Sequence, residues 1–314
     1  MTVYVGVDGG GSKTRVAAAD DGGRSLLDIT LDGCDLPARG EAQVRRVLGE
    51  VRAAVAALVR GEPAGAAVRI ALGLPAYGET RRWDEALDRL AADAFPGWHY
   101  RAYNDVRLAL EGALPERPGV LVLCGTGSMA WGKSRSGEEA RSGGWGPIFG
   151  DEGSGFDLGM HALRAACRVE DGRGPDTRLH RDVLRALGVE DVHGVLAALS
   201  DTPGIPRARV AGLGKVVVDA AEAGDAEAAR LLADAARELV DLVEALVSRL
   251  SLDPDAAVST AGGMFRGRAF AGAFARELAA RGHSAPEPPR HPPAAGGVLL
   301  AGLPAGRLAG AYRE

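Results

Sequence analysis

An apolar strand that runs into a glycine-rich turn occurs twice in this chain, once near the start of each half. The first turn belongs to Gly6–Thr14, which reads Gly-Val-Asp-Gly-Gly-Gly-Ser-Lys-Thr, and the second is Gly125–Ser128. Apolar residues resume after each turn, so both turns join two strands. The pattern differs from a Walker loop, in which the glycines open a helix. The repeat predicts two α/β lobes.

Glycine-rich turns of this kind are suited to phosphate, because their backbone N–H groups can approach phosphate oxygens closely. Two such turns predict a polyphosphate held between two lobes, whereas either turn alone is compatible with an ordinary hairpin. Asp8 precedes the first turn and can hold Mg²⁺ through water. A later glycine pair at a strand end would let adenine approach. The predicted ATP-binding residues are Gly9, Gly10, Gly11, Ser12, Lys13, Thr14, Gly125, Thr126, Gly127, Gly262 and Gly263.

The order of strand and helix patterns predicts an α/β fold. In the first part of the chain, three β elements are followed by helix, strand, helix and strand, which is typical of a layer with an antiparallel edge. The segment Leu114–Pro118, which contains two prolines, is the predicted boundary between the lobes. We expect an N-terminal lobe of residues 1–114, completed by a C-terminal helix in residues 294–314, and a second lobe of residues 115–293.

The composition limits the classes of function. Of the 314 residues, 46% are hydrophobic and 25% are charged, which is typical of a globular protein. A net charge of −5 argues against a nucleic acid bound through a basic face. Cys34, Cys124 and Cys167 are too far apart in sequence to predict a disulfide framework or a zinc site. The lack of a long apolar stretch predicts a cytoplasmic protein with no membrane partner.

Asn104 and Asp105 follow a predicted strand and precede a predicted helix, which is where α/β sheets bind ligands. A carboxylate there can accept the proton of a hydroxyl that attacks a γ-phosphate, and the amide can position that acceptor. Asp105 is also suited to cap the helix that follows, and the local sequence favours the cap. The two interpretations are compatible.

The densest motif of the chain is Gly143–Gly155, which contains six glycines, Trp145 and the pair Asp151-Glu152. So many glycines cost too much conformational entropy for a plain connector. An aromatic face suits the apolar side of a pyranose, and carboxylates bind hydroxyls, so the motif predicts a carbohydrate site. A buried tryptophan in a glycine-rich loop is the alternative.

Taken in order, these segments resemble the sugar-kinase branch of the actin and hexokinase superfamily. The similarity spans almost the whole chain and is strongest to the N-acetylglucosamine kinase group, which is grouped with ATPases that activate benzoyl-CoA reductase. The resemblance implies two RNase-H-like, actin-like ATPase lobes around an ATP cleft, and closure on sugar binding. We also expect a homodimer. It is carried by Gly6–Thr14, Asn104-Asp105, Gly125–Ser128, Gly144–Ser154, Ala220–Asp225 and Ala261–Gly263.

The same resemblance implies an ATP- and Mg²⁺-dependent kinase whose small-molecule substrate is a hexosamine, either N-acetylglucosamine or glucosamine. Asp105 would be the base that activates the sugar 6-hydroxyl, and Ser12 and Thr126 would contact the phosphates of ATP. The residues expected to bind the sugar are Asp35, Asn104, Asp105, Ser128, Gly144, Trp145, Gly146, Asp151 and Glu152.

Two positions depart from the family pattern. Family members that bind N-acetylglucosamine tend to carry an asparagine near position 35, where this chain has Cys34-Asp35, and another at position 129, where it has methionine. A carboxylate at position 35 would attract the cationic amine of glucosamine. The departure therefore predicts a roughly ten- to thirtyfold preference for glucosamine over N-acetylglucosamine.

Two other functions remain as alternatives to the hexosamine kinase. An ATPase that activates a reductase needs an iron–sulfur cluster held by cysteine thiolates, and the sequence contains no closely spaced cysteine pair. A sugar-responsive regulator without catalytic activity needs a DNA-reading segment, whereas this sequence begins directly on the first phosphate strand. The kinase is therefore the favoured prediction.

Overall fold

The computed structural model describes residues 1–59, 67–200, 206–253, 255–308 and 312, and two separate sheets organise them. The chain divides into two units, residues 1–117 with 288–314 and residues 118–287. Each unit contains one sheet with helices packed on it.

The strands are β1 (Thr2–Asp8), β2 (Lys13–Ala19), β3 (Ser25–Asp32), β4 (Ala67–Leu74), β5 (His99–Asn104), β6 (Gly119–Cys124), β7 (Ser128–Lys133), β8 (Glu139–Gly143) and β9 (Ala257–Ala261). The helices are α1 (Leu36–Leu58), α2 (Arg81–Ala94), α3 (Asp105–Ala113), α4 (Gly155–Glu170), α5 (Arg178–Leu187), α6 (Val192–Ser200), α7 (Arg207–Glu222), α8 (Ala226–Arg249), α9 (Arg268–Ala280) and α10 (Pro293–Leu300). Short 3₁₀ turns are Gly263–Arg266 and Ala305–Arg307.

The sheet of the first unit has the strand order β3-β2-β1-β4-β5. β1, β2 and β3 are joined as antiparallel hairpins, whereas β4 and β5 run parallel to β1. The carboxyl ends of β1, β4 and β5 therefore lie at one edge of the sheet, which is the edge where α/β folds place ligand-binding residues.

The side chains of β1 alternate between the two faces of this sheet, as the pleat requires. Val3, Val5 and Val7 are buried in a core formed with α1 and α2. On the other face, Gly6 lies against α10, where a Cβ on Gly6 would come within 2.0 Å of the carbonyl oxygen of Ala294. The absence of a side chain at Gly6 therefore lets the C-terminal helix pack directly on β1.

The sheet of the second unit has the strand order β8-β7-β6-β9, with β9 parallel to β6 and the other pairs antiparallel. Its core is formed mainly by the sheet with α4, α5, α7, α8 and α9. Two units of this kind confirm the predicted α/β class. In the described parts of the chain, no helix has both the length and the apolar character that crossing a bilayer requires.

Candidate active site

The first glycine turn, residues 9–12, connects β1 to β2 and is braced through its carbonyl groups. The N–H of Cys34 donates to the carbonyl oxygen of Gly10 at 3.0 Å, and Arg39 Nε donates to that of Gly11 at 2.7 Å. These two hydrogen bonds tie the turn to residues that follow β3 and thereby restrict its conformation.

The three polar residues after the glycines lie in different surroundings. Ser12 and Lys13 are exposed, as a contact with a phosphate requires. Thr14 is fully buried, and its hydroxyl donates to the carbonyl oxygen of Asp32 on β3 at 2.8 Å. The hydroxyl of Thr14 therefore stabilises the sheet beneath the turn, and its predicted contact with ATP stays a prediction.

Asp8 is the last residue of β1 and stands directly before the glycine turn. The pKa of Asp8 is raised to about 7, because burial and the charge of Asp105 raise it by more than Lys13 and Arg15 lower it. The protein thus leaves the negative charge of Asp8 incompletely compensated. A divalent cation would supply the missing charge, and Mg²⁺ prefers such a carboxylate together with waters and phosphate oxygens. The setting of Asp8 fits the predicted metal role.

Asn104 stands at the junction of β5 and α3, and it is the residue that caps the helix. Its Oδ1 accepts the N–H of Val106 at 3.0 Å, and its Nδ2 donates to the carbonyl oxygen of Tyr77 at 2.8 Å. Each polar atom of the Asn104 amide therefore has a partner within the first unit. The cap that the sequence assigned to Asp105 belongs to its neighbour.

Asp105 is the first residue of α3 and is partly buried. The pKa of Asp105 is raised to about 6, chiefly by burial. Hydrogen bonds from the N–H groups of Val106 and Asp105 itself lower it, and the charges of Glu79 and Asp35 raise it. A carboxyl group of this pKa is ionised at pH 7 but still accepts a proton readily. That combination is what a general base requires.

The structure brings Asp8, the first glycine turn and Asp105 to one edge of the sheet, and Asp35 lies beside the same turn. One oxygen of Asp35 caps α1 by accepting the N–H of Ala38 at 3.2 Å. A Cβ on Gly11 would lie 3.6 Å from the other oxygen. One carboxylate oxygen of Asp35 therefore caps α1, and the other lies close to the glycine turn.

Because burial raises the pKa of Asp8 and of Asp105, we expect the ligand-free protein to lose stability as the pH rises from about 4 to about 7. In that interval the unfolded chain has released both protons, since its carboxyl groups have the ordinary pKa of 3.8, while the folded protein still holds them. The folded state binds more protons, so the free energy of unfolding decreases with pH. Urea unfolding at pH 5.0 and 7.5 measures this decrease.

The control for this pH dependence is Asp8→Asn, which lacks the Asp8 contribution and keeps every other titrating group. We expect the decrease between the two pH values to be smaller in the variant than in the parent. Equal decreases in the two proteins would show that Asp8 titrates normally in the folded state.

A cavity of about 910 Å³ in the second unit begins at the second glycine turn, with Gly125 and Thr126 in its wall, and continues along α7. The first turns of α7 contribute the small residues Ala208, Ala211 and Gly212 to the wall, and the rest of the helix contributes Lys215, Val218, Asp219 and Glu222. Small side chains leave a flat surface, and a cavity of this size accommodates a nucleoside. The predicted phosphate turn of this unit thus opens onto a space suited to the rest of a nucleotide.

Gly263 of the predicted Gly262-Gly263 pair lines the same cavity, together with Met264 and Arg266. Gly262 has a φ of 105°, and a Cβ there would come within 2.2 Å of the carbonyl oxygen of Cys124. This close approach packs the end of β9 onto the end of β6, so both predicted nucleotide segments of the unit border one space. The sequence did not predict that α7 lines this cavity, because the sequence of α7 is that of an ordinary helix.

The glycine-rich loop of residues 143–150 carries exposed apolar side chains. Trp145 is 63% exposed, and the Arg141 guanidinium lies 4.6 Å from the centre of its ring. Ile148 and Phe149 are also exposed. The alternative of a buried tryptophan is therefore wrong, and Trp145 is accessible to a ligand.

Asp151 ends this loop in a left-handed conformation, with a φ of 61°, and is only 3% exposed. Its Oδ1 accepts the N–H of Ser128 at 3.3 Å, and its Oδ2 accepts a hydrogen bond from Arg207 Nη2 at 2.6 Å. Burial raises the pKa of Asp151, and the charge of Arg207 opposes the rise. Asp151 thus links the second glycine turn to Arg207, a residue that the sequence did not predict.

Glu152 is predicted to bind the sugar, and in the structure this residue lines a second cavity. That cavity, of about 600 Å³, lies between α4 and α8 and includes His161 and Glu238. Only the backbone of Glu152 reaches the second glycine turn, where its carbonyl oxygen accepts the hydroxyl of Ser128 at 2.7 Å. A Cβ on Gly150 would lie 3.4 Å from Glu152 Oε2, so the carboxylate also borders the loop that carries Trp145, and its predicted contact with sugar stays a prediction.

The model of the BadF/BadG/BcrA/BcrD ATPase family matches residues 5–301 of the chain. The chain belongs to this family. The match includes both glycine turns, Asp105 and the Gly262-Gly263 pair, so the segments described above are those of a BadF/BadG/BcrA/BcrD-type ATPase.

Relatives of this ATPase family member include two kinases. The chain is 34% identical over 266 residues to the N-acetylmuramic acid/N-acetylglucosamine kinase of Clostridium acetobutylicum, which covers 84% of this chain and 86% of the relative. It is 30% identical over 262 residues to the N-acetyl-D-glucosamine kinase of Dictyostelium discoideum, covering 81% of this chain and 82% of the relative.

A solved structure shares the fold of this ATPase family member. The crystal structure of a proposed N-acetylglucosamine kinase from Chromobacterium violaceum has a TM-score of 0.76 to this chain at 28% identity, and covers 95% of this chain and 98% of its own. Together with the two kinases, it confirms the predicted family, the actin-like fold and the predicted class of enzyme, an ATP-dependent sugar kinase.

Proposed function

We propose that this ATPase-family protein transfers the γ-phosphate of ATP to the 6-hydroxyl of N-acetylglucosamine. The observation that carries the proposal is the pair of carboxylates at one sheet edge, Asp8 before the first glycine turn and Asp105 with a pKa of about 6. A phosphate-binding turn beside a carboxylate that can act as a base suits phosphoryl transfer to a hydroxyl. The names of the two related kinases support the acceptor sugar.

In the proposed reaction, Asp105 accepts the proton of the 6-hydroxyl. The hydroxyl oxygen bonds to the γ-phosphorus, while the bond from that phosphorus to the β,γ-bridging oxygen breaks and ADP leaves. The N–H groups of Gly9 and Gly125 donate to the carbonyl oxygens of Gly73 and Gly127, so the phosphate donors that we propose are the N–H groups of Gly10, Gly11, Thr126 and Gly127. Mg²⁺, held by Asp8 through water, supplies positive charge to the phosphates when it is bound.

Asn104 is proposed to act through Asp105, because its amide already caps α3 and holds the carbonyl oxygen of Tyr77. Asp105 is thereby fixed at the start of the helix. For the sugar substrate, the exposed ring of Trp145 offers an apolar surface to the pyranose carbons. The carboxylate oxygen of Asp35 that does not cap α1 is able to accept a hydrogen bond from a sugar hydroxyl.

The reductase-activating ATPase is the weaker candidate on chemical grounds. Burial raises the pKa of Cys34 to about 11, and it raises the pKa of Cys124 as well. A high pKa disfavours the thiolate that ligates an iron–sulfur cluster. The cytoplasmic location and the homodimer stay predictions from sequence and resemblance.

We expect kcat/KM for N-acetylglucosamine to exceed that for glucosamine by roughly ten- to hundredfold, because a site that hydrogen-bonds an acetamide leaves polar groups unpaired when the acetamide is missing. A coupled assay of ADP release with glucosamine, N-acetylglucosamine, N-acetylmuramic acid and glucose measures the ratio. Phosphorus–proton NMR of the product is expected to show the phosphate on the oxygen of carbon 6.

This expectation opposes the glucosamine preference predicted from Asp35, and Asp35→Asn separates the two. The asparagine retains an oxygen that can cap α1 and removes the charge. A parent protein that prefers glucosamine, combined with a variant that has lost the preference, would establish the opposite specificity. A phosphate found on any other oxygen would contradict the proposed position.

A further inference from the structure

Arg207 begins α7 and is placed beside the second glycine turn by Asp151. Their ion pair is the only hydrogen bond of the Arg207 guanidinium to another described residue, and it occupies one of its five N–H donors. The side chain is 46% exposed. Most N–H donors of the Arg207 guanidinium are thus available to a ligand, and the ion pair with Asp151 holds them beside the second glycine turn.

The guanidinium touches the middle of the turn itself. A Cβ on Gly127 would lie 2.9 Å from Arg207 Nη2 and 2.8 Å from Asp151 Oδ1. Glycine at position 127 is therefore what allows the arginine to lie against the turn. The N–H groups of Gly125 and Ser128 donate to the carbonyl oxygen of Gly127 and to Asp151 Oδ1, so an anion at the turn would meet the N–H groups of Thr126 and Gly127 together with the positive charge of Arg207.

Arg207 also lies next to the 910 Å³ cavity. Ala208, the next residue on α7, lines that cavity, and so does Thr126, which precedes the glycine that Arg207 touches. A nucleoside in this cavity would therefore direct its phosphates towards the turn and the arginine. By contrast, Lys215 on the cavity wall is paired with Asp219 at 2.6 Å.

We propose that Arg207 is a phosphate-binding residue, which Asp151 holds against the second glycine turn so that its remaining N–H groups bind the terminal phosphates of the nucleotide. An arginine suits this task, because its planar fork donates two parallel hydrogen bonds to a phosphate. Asp151 then acts as a positioning residue for Arg207 in addition to any contact with sugar. This inference rests on the proposed function, because it takes the nucleotide to be the phosphoryl donor.

The test compares the binding of ADP and of adenosine to the purified full chain by calorimetry. Arg207→Gln is expected to weaken ADP binding roughly ten- to hundredfold and to leave adenosine binding within about twofold, because only ADP carries the phosphates. Arg164→Gln, at an exposed arginine of α4 in the same unit, is the matched control and is expected to change neither affinity.

Arg207→Lys covers the case in which the glutamine variant does not fold, because lysine preserves the charge opposite Asp151. It is expected to weaken ADP binding at least about threefold, since lysine lacks the planar fork, and again to spare adenosine. Unchanged ADP affinity, or equal losses for ADP and adenosine, in a folded variant would overturn the inference. A parent chain that binds neither ATP nor ADP would instead overturn the proposed function.

Discussion

Replacing Asp105 by asparagine is expected to lower kcat by roughly 10²–10⁴, which is the usual contribution of a general base. Asparagine has nearly the same shape and still accepts the N–H of Val106, so the start of α3 should persist. It cannot accept the proton of the attacking hydroxyl. Steady-state kinetics with saturating ATP and N-acetylglucosamine measure the loss, and ATP affinity should change little.

The control for Asp105→Asn is Asp93→Asn in the same unit, where an exposed carboxylate on α2 pairs with Arg45. We expect kcat of that variant to stay within about twofold of the parent, as is usual for an exposed ion pair. If Asp105→Asn also turned over at a near-normal rate with an intact fold, Asp105 would be only a structural residue of the helix N-terminus.

Replacing Asp8 by asparagine is expected to lower kcat by roughly 10²-fold or more, because the variant loses the carboxylate that holds Mg²⁺, and a bound metal is worth several kcal/mol to the transition state. The same variant should be more stable than the parent at pH 7.5, with a Tm higher by roughly 2–8 °C. The reason is that burial disfavours the charged form of Asp8 and raises its pKa to about 7.

The combination of lower activity and higher stability distinguishes a metal-binding carboxylate from a residue that merely supports the fold. Calorimetric titrations of ADP with and without Mg²⁺ provide a second readout. The parent should bind ADP more tightly when Mg²⁺ is present, and Asp8→Asn should lose most of that difference. A variant that keeps the full effect of Mg²⁺ would show that Asp8 does not hold the metal.

Signals within a few neighbouring residues were sufficient to predict the parts of the site that depend on local structure. The strand before Gly9 and the turn that follows are encoded in adjacent residues, as is the junction at Asn104 and Asp105. Each of these segments alternates apolar residues and then breaks the alternation with glycine or a capping side chain. Their common edge follows from the parallel order of the strands.

Contacts between distant parts of the chain were not predictable in this way. Arg207 and Asp151 are 56 residues apart, and neither flanking sequence marks the other as a partner. The cap of α3 was assigned one residue too late, because Asn and Asp are almost equally good caps.

The close fit of α10 on the first sheet has a consequence for how the protein is made. A Cβ on Gly296 would lie 2.1 Å from the carbonyl oxygen of Leu108, so the helix is held between β1 and α3 with almost no intervening side chains. A ribosome completes residues 118–287 before it delivers this helix, although the sheet beneath was synthesised first. One face of the N-terminal sheet therefore stays uncovered during synthesis until α10 has been made, and apolar surface that is exposed for a time in this way promotes aggregation.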